Sequence, residues 1–161
     1  MQTVNIITVG KLKESYFRDA CAEYVKRLGA FCKINVIELA ESRLPDNPSE
    51  SEIAKALDSE GKEMLSLISG KSAYNIAMCI EGKQRSSEEL SAELDSLALS
   101  GVSNAVFIIG SSFGLSDEVK SKSKHRLSMS RMTFPHQIAR IMLLEQLYRA
   151  SQISLGTRYH K

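Results

Sequence analysis

The sequence predicts an α/β domain with a mostly parallel sheet and helices on both faces. Two observations carry that expectation. Four short apolar runs, residues 4–9 (VNIITV), 34–39 (INVIEL), 74–80 (YNIAMCI) and 105–109 (AVFII), are near-continuous rather than alternating, as strands buried on both faces require. Helical apolar patterns fill the intervals between them, and strand–helix alternation leads to parallel strands. The chain has 161 residues, 43% hydrophobic and 25% charged, which suits a single globular domain over residues 1–161.

The elements follow in order. After the first strand, residues 14–28 place Phe17, Cys21, Tyr24, Val25 and Leu28 at helical spacing. The second strand runs into residues 41–49, where Pro45, Asn47 and Pro48 mark a surface loop. A helix over 50–68 begins after Pro48-Ser49, with Ile53, Leu57, Met64, Leu65 and Ile68 on one face. The third strand leads to a helix over 87–99, capped by Ser86 or Ser87 and closed by Gly101. Gly110 and Gly114 follow the fourth strand; Gly110 allows close backbone approach or a positive φ, and Ser116-Asp117 can cap a short helix. A fifth short strand is expected near residues 125–128. The last helix opens at Pro135, whose missing N–H has no partner to lose in a first turn, so Thr133 or Phe134 is expected at the cap.

That last helix carries Ile138, Ile141, Met142, Leu143, Leu144, Leu147, Tyr148 and Ile153 around almost its whole circumference. A helix apolar all round is buried on more than one side. One side meets the sheet, and the other is expected to meet a second copy in a homodimer. The alternative is a helix wrapped within its own chain. Glu145 and Arg149 are spaced to pair along it.

Composition narrows the functional classes. No apolar run reaches the ~18 residues of a membrane span, and the N-terminus lacks a basic segment followed by a long apolar core. Cys21, Cys32 and Cys79 are far apart and odd in number, as expected for three free, buried thiols in a reducing, cytoplasmic compartment. His125, His136 and His160 match no zinc spacing, so no metal is expected. The net charge of +2 is unevenly spread: residues 119–161 hold nine Lys or Arg and one acid, net +8, while the first 118 hold twelve and eighteen, net −6. Such polarity predicts a basic surface for an anionic partner, nucleic acid first among them. The residues after the fourth strand match neither G-x-G-x-x-G nor a phosphate loop, which argues against a dinucleotide or nucleoside triphosphate site and against a flavodoxin-like nucleotide-binding protein.

Three segments are placed for chemistry, since ligands of open α/β sheets bind beyond the carboxyl ends of the strands. They are Glu81-Gly82-Lys83 leaving the third strand, Gly110 to Gly114 after the fourth, and Met129 to Phe134 before His136 and Gln137. Free N–H groups at a helix start can hold polar ligand groups. The chain ends in Arg158, Tyr159, His160 and Lys161, which combine phosphate-binding charge, a stacking ring and a titratable nitrogen.

Taken together, "ITVGKLKE", "GKQRSSEEL", "FIIGSSFGLSDEV", "LSMSRMTFPHQIAR", "EQLYRA" and the final "YHK" resemble, over the full chain, the SPOUT class of trefoil-knotted RNA methyltransferases. Within it, the likeness is to the bacterial large-subunit (23S) ribosomal RNA pseudouridine N3-methyltransferase family. The resemblance implies an α/β knot formed by the C-terminal segment and S-adenosyl-L-methionine (SAM) as cofactor. Cofactor contacts are implied at Met78, Gly110 and the run Met129, Ser130, Arg131, Met132, Thr133 and Phe134. Two positions depart from the family pattern: Ser111 replaces a second glycine, which bears on cofactor affinity, and Arg158 replaces a proline, which frees the tail and adds a charge.

The implied reaction is methyl transfer to N3 of a pseudouridine in the large subunit or the assembled ribosome. It needs a base for the imide proton but no metal. His160 is the favoured base and His136 the other candidate; Tyr159 would stack or orient the nucleobase. Arg140, Arg149, Arg158 and Lys161 would hold phosphates, in part from the other subunit of the homodimer. A reading of another class is a non-catalytic ribosome-binding factor that keeps the fold, which SAM binding would separate from the enzyme.

Overall fold

A computed structural model describes residues 2–68 and 72–161. Five parallel strands are interleaved with five helices: β1 (Thr3–Val9), α1 (Ser15–Leu28), β2 (Lys33–Leu39), α2 (Glu50–Leu67), β3 (Ala73–Gln84), α3 (Ser87–Leu99), β4 (Asn104–Ile109), α4 (Asp117–Lys122), β5 (His125–Ser128) and α5 (His136–Ser154). The strand order is β2-β1-β4-β3-β5. β1 and β4 lie inside the sheet, and β4 is buried from Ala105 to Ile109, as its unbroken apolar run predicts. β2 has an equally apolar sequence but lies at the edge, so Ile34 to Ile37 are only half-buried. A one-sided strand position is invisible in composition.

The two faces have separate cores. Ile6, Ile76, Phe107 and Leu127 pack under α1, α3 and α5; Ile7, Val9, Val106 and Ile108 pack under α2 and α4. Alternation along each strand divides neighbouring residues between them. α5 lies against both α1 and α3, and its Leu143, Leu144, Leu147 and Ala150 are buried. Ile141, Met142, Tyr148 and Ile153 around them are half-buried, and Ile138 stays 37% exposed.

The local starts of helices follow their sequence signals. Ser49 and Ser86 each form a capping box, with Glu52 and Glu89, which satisfies two otherwise free donors per helix. Ser116 caps α4. At α5 the expectation is corrected: the cap is Pro135, not Thr133 or Phe134, because its ψ of 143° is extended and the first helical residue is His136. β3 is also longer than predicted. Glu81, Gly82 and Lys83 remain in the strand, which shifts register against β5 between Met78 and Lys83. Gly82 permits this, since a Cβ there would sit 2.7 Å from the Leu127 carbonyl carbon and 2.8 Å from that of Arg126.

Candidate active site

A cleft of about 670 Å³ opens beyond the carboxyl ends of β3, β4 and β5. Its size falls in the range of small-molecule and cofactor sites. Three segments frame it: Met78 to Glu81 from β3, Ile109 to Leu115 after β4, and Met129 to Gln137 with the exception of Arg131. Met78, Ile80, Ile109, Leu115, Leu127 and Phe134 supply an apolar lining. Thus Met78, Gly110, Met129, Ser130, Met132, Thr133 and Phe134 come together as expected from the sequence, and His136 stands at the same wall. Arg131 is exposed and does not line the cleft. Sequence reasoning missed Ile80, Phe113 and Leu127 as wall residues; an apolar side chain just past a strand end was the available signal.

Each framing loop has a local cause. After β4 the chain turns back on itself: the Gly114 N–H donates to the Ser111 carbonyl at 2.9 Å. A Cβ on Gly110 would overlap the Gly114 carbonyl and lie 3.1 Å from Leu115 Cδ2. Gly110 is therefore required by closure of its own loop, and the positive φ belongs to Gly114 (87°). In the second loop, Ser128 Oγ donates to the Ser130 carbonyl at 2.9 Å, and the Met132 N–H donates to Ser130 Oγ at 3.0 Å. These bonds hold the loop ahead of the helix.

Two buried charged groups lie behind the walls. Arg140 is 2% exposed, and its guanidinium donates to Glu38 Oε2 (2.9 Å), Thr8 Oγ1 (2.7 Å) and the Gly10 carbonyl (3.1 Å). It joins α5 to β1 and β2, which corrects its expected role as a phosphate contact: its donors already face inward. Glu60, 4% exposed on α2, accepts the Ser42 N–H at 3.0 Å. Burial pushes its carboxyl pKa up, opposed by the Ser42 amide and the Ser111 hydroxyl. Ser111, the departure from the family's glycine pair, thus acts on a carboxylate behind the loop while also lining the cleft.

His136 is half-buried, and its Nδ1 has no hydrogen-bond partner among the described residues. Burial lowers its pKa, Glu41 opposes the shift and Arg140 adds to it, so the ring is held neutral at pH 7. That Nδ1 is itself buried, and a neutral imidazole at a cleft wall can accept a proton once an acceptor nitrogen is turned to the substrate.

The tail lies elsewhere. Tyr159 packs edge-on against Tyr148, with ring centroids 4.9 Å apart, under the Arg149 guanidinium, also 4.9 Å from its centroid. Arg149 Nη2 lies 2.6 Å from Glu145, the ion pair expected from their spacing. His160 Nε2 is 2.7 Å from Glu88 Oε1, and its Nδ1 is 3.4 Å from Arg149 Nη1. Glu88 has its pKa lowered to about 2 by its own backbone N–H and by His160, so Nε2 is the donor and Nδ1 is left to accept from Arg149. Both ring nitrogens are engaged. Glu88, Glu145, Tyr148 and Arg149 are all outside the cleft wall, so the structure does not bring His160 or Tyr159 to the cleft of their own chain. Arg158 and Lys161 are exposed.

Cys21 and Cys32 are buried free thiols, while Cys79 is half-buried at the cleft. Among the described residues, no group of three or more His, Cys, Asp or Glu side chains is placed to hold a metal ion, and no helix is long and apolar enough to cross a membrane.

A family model described as "Predicted SPOUT methyltransferase" matches residues 1–160. A protein of Streptococcus thermophilus (strain ATCC BAA-491 / LMD-9) named "Ribosomal RNA large subunit methyltransferase H" is 50% identical over 158 residues, covering 98% of this chain and 99% of its own. A protein of the same name from Bacillus pumilus (strain SAFR-032) is similar to the same extent. Among solved structures, a probable methyltransferase from Bordetella pertussis Tohama I superposes with a TM-score of 0.55 at 14% identity, over 93% of this chain and 96% of its own. A probable methylase family protein from Haemophilus influenzae Rd KW20 gives a TM-score of 0.53 at 13% identity, over 98% of this chain and 70% of its own. At such identity these two speak for the fold alone.

Proposed function

The chain belongs to the SPOUT methyltransferase family, and from that premise we propose that it is a SAM-dependent methyltransferase acting on N3 of a pseudouridine in large-subunit ribosomal RNA. The observation that carries this reading is the cleft bounded by Met78, the 110–115 loop and the 129–134 loop. It occurs in a chain about half identical, end to end, to proteins named for methylation of that RNA. The trefoil knot belongs to the same reading, as does a cytoplasmic site of action on the ribosome.

The residues present fit the cofactor. The cleft has apolar walls for methylene groups and an aromatic base. Exposed backbone groups of two tight loops offer polar contacts, and a Cβ at Gly110 would disrupt one of those loops. SAM, when bound, supplies an electrophilic methyl group. The chain's own work is orientation and proton removal. As N3 of an imide gains a methyl group, its proton must leave, and the neutral His136 beside the wall can take it.

The tail has a different place in this reading. In its docked position His160 has no free nitrogen and contacts no cleft residue. We propose that Arg158 to Lys161 serve the cleft of the second copy in a homodimer, where Tyr159 orients the base and Arg158 and Lys161 hold phosphates. His160, freed from Glu88, would there be a second base.

The test is incubation of the protein with methyl-labelled SAM and ribosomes lacking the modification, followed by nucleoside mass analysis. One added methyl on a pseudouridine is expected. Label on another base would overturn the N3-pseudouridine assignment, and SAM binding without any transfer would favour a non-catalytic ribosome-binding factor.

A further inference from the structure

Neither Asp nor Glu occurs from Val119 to Leu144, a span that carries six Lys or Arg. The structure sorts those cations. Arg140 is buried on Glu38. Lys120 pairs with Glu81 at the cleft rim, and Lys122 pairs with Glu118. Lys124, Arg126 and Arg131 are exposed, and none has a carboxylate partner among the described residues.

Their positions form one path. Lys124 immediately precedes β5, Arg126 lies within it, and Arg131 lies in the loop that walls the cleft. β5 is an edge strand. Leu127 packs in the core under α3 and α5, so strand alternation turns Arg126 toward the opposite face, where α4 lies. There Arg126 Nε donates to the Lys120 carbonyl at 3.3 Å, which fixes the stem of a side chain that remains exposed. Its charge acts on both Cys79 and Glu81, two residues of the cleft wall. The cationic path is therefore continuous with the cleft.

The two arginines that the sequence offered from α5 are otherwise engaged, Arg140 in the core and Arg149 on Glu145. A nucleotide entering the cleft from a long RNA brings flanking phosphates that must cross the rim. Unpaired guanidinium and ammonium groups are the residues suited to meet them.

We infer that Lys124, Arg126 and Arg131 form a phosphate track along the β5 edge, leading an RNA strand to the cleft. This inference rests on the RNA methyltransferase reading above and adds to it the surface that receives the substrate.

The test compares two triple variants that lose equal charge: Lys124→Gln/Arg126→Gln/Arg131→Gln on the track, and Lys26→Gln/Lys33→Gln/Lys55→Gln on exposed sites of α1, β2 and α2. Ribosome affinity is measured at several salt concentrations, together with KM and kcat for methylation and SAM affinity by calorimetry. Losing three phosphate contacts lowers the salt slope by roughly two, at ~0.7 per contact for a single strand. The track variant is expected to show that loss and at least a tenfold rise in ribosome KM, with unchanged SAM affinity, while the control keeps wild-type values. Equal losses in both variants would reduce the effect to net charge and overturn the track. Wild-type KM and slope in the track variant would do the same. A fall in SAM affinity in Arg131→Gln alone would return Arg131 to the cofactor site. If wild-type protein neither binds nor methylates ribosomal RNA, the function itself fails, a result separable from failure of the track.

Discussion

Arg140 and Glu60 are charged residues placed where water is nearly absent, and each acts on a wall of the cleft from behind. Replacing Arg140 with Met leaves Glu38 without its cation and Thr8 and Gly10 without a donor. Glu38 keeps access to water, its side chain being 36% exposed, so the loss should fall below the ~3–5 kcal/mol of a fully buried pair. About 2–3 kcal/mol is expected from urea unfolding. Glu60 gives a pH signature. Its folded pKa lies above its unfolded value, so the folded state binds more protons between the two, and stability falls as pH rises through the folded pKa. Glu60→Gln should abolish that decline in a series of melting temperatures from acid to neutral pH; an unchanged decline would remove Glu60 as its source. His136 has the opposite sign. Its lowered pKa makes stability full above the unfolded value and lost as pH falls below it. Neither Arg140 nor Glu60 was legible in the sequence as a structural residue. Arg140 meets Glu38 and Thr8 across 102 and 132 positions, and only the folded sheet sets those neighbours. The starts of α2 after Ser49 and of α3 at Ser86 or Ser87 were legible because a capping box closes within four residues.

At the scale of elements, the cleft depends on two close backbone approaches. Gly82 lets β3 bulge against β5, and Gly110 lets the loop after β4 close. Gly82→Ala must push Arg126 and Leu127 away, which displaces the strand that carries one wall into the cleft. A lower melting temperature and weaker SAM binding together are expected; weaker binding with no thermal change would show that the bulge is not strained by a methyl group. Gly110→Val should also weaken SAM binding, through the broken loop rather than by contact, so the melting temperature of the protein without cofactor should fall as well. The strands, their parallel character and the positions of helices were readable because apolar runs and helical spacing are local properties. The edge position of β2, the length of β3 and the covering of α5 by α1 and α3 were not, since each is settled by which neighbours arrive.

For the whole molecule, the tail is the part whose location and expected task disagree. It docks on the outer helix layer, away from the cleft beside which its histidine was expected to act. Deleting Tyr159 to Lys161 should cost about 1 kcal/mol of stability, the scale of one edge-on aromatic pair. It should leave SAM affinity intact and remove most ribosomal methylation; full activity in the deletion would leave His136 as the sole base. The shared-site reading also requires association, so light scattering at micromolar concentration should give a dimer, and a stable monomer would sink it. The resemblance in sequence motifs, rather than any periodicity, supplied the cofactor and the reaction. Chemistry of that kind is carried by a few residues brought together from three separate segments.

The docking of Tyr159 has one more consequence, and it is optical. The chain contains no tryptophan and five tyrosines. Three of them, Tyr24, Tyr148 and Tyr159, form a chain of ring contacts with centroid spacings of 6.4 and 4.9 Å. Near-ultraviolet dichroism of the unlabelled protein is therefore dominated by tyrosine, and a large share of it comes from rings whose coupling is broken when the tail leaves α5. The movement of four terminal residues can be followed in the native protein, without a probe, as copies of the chain associate.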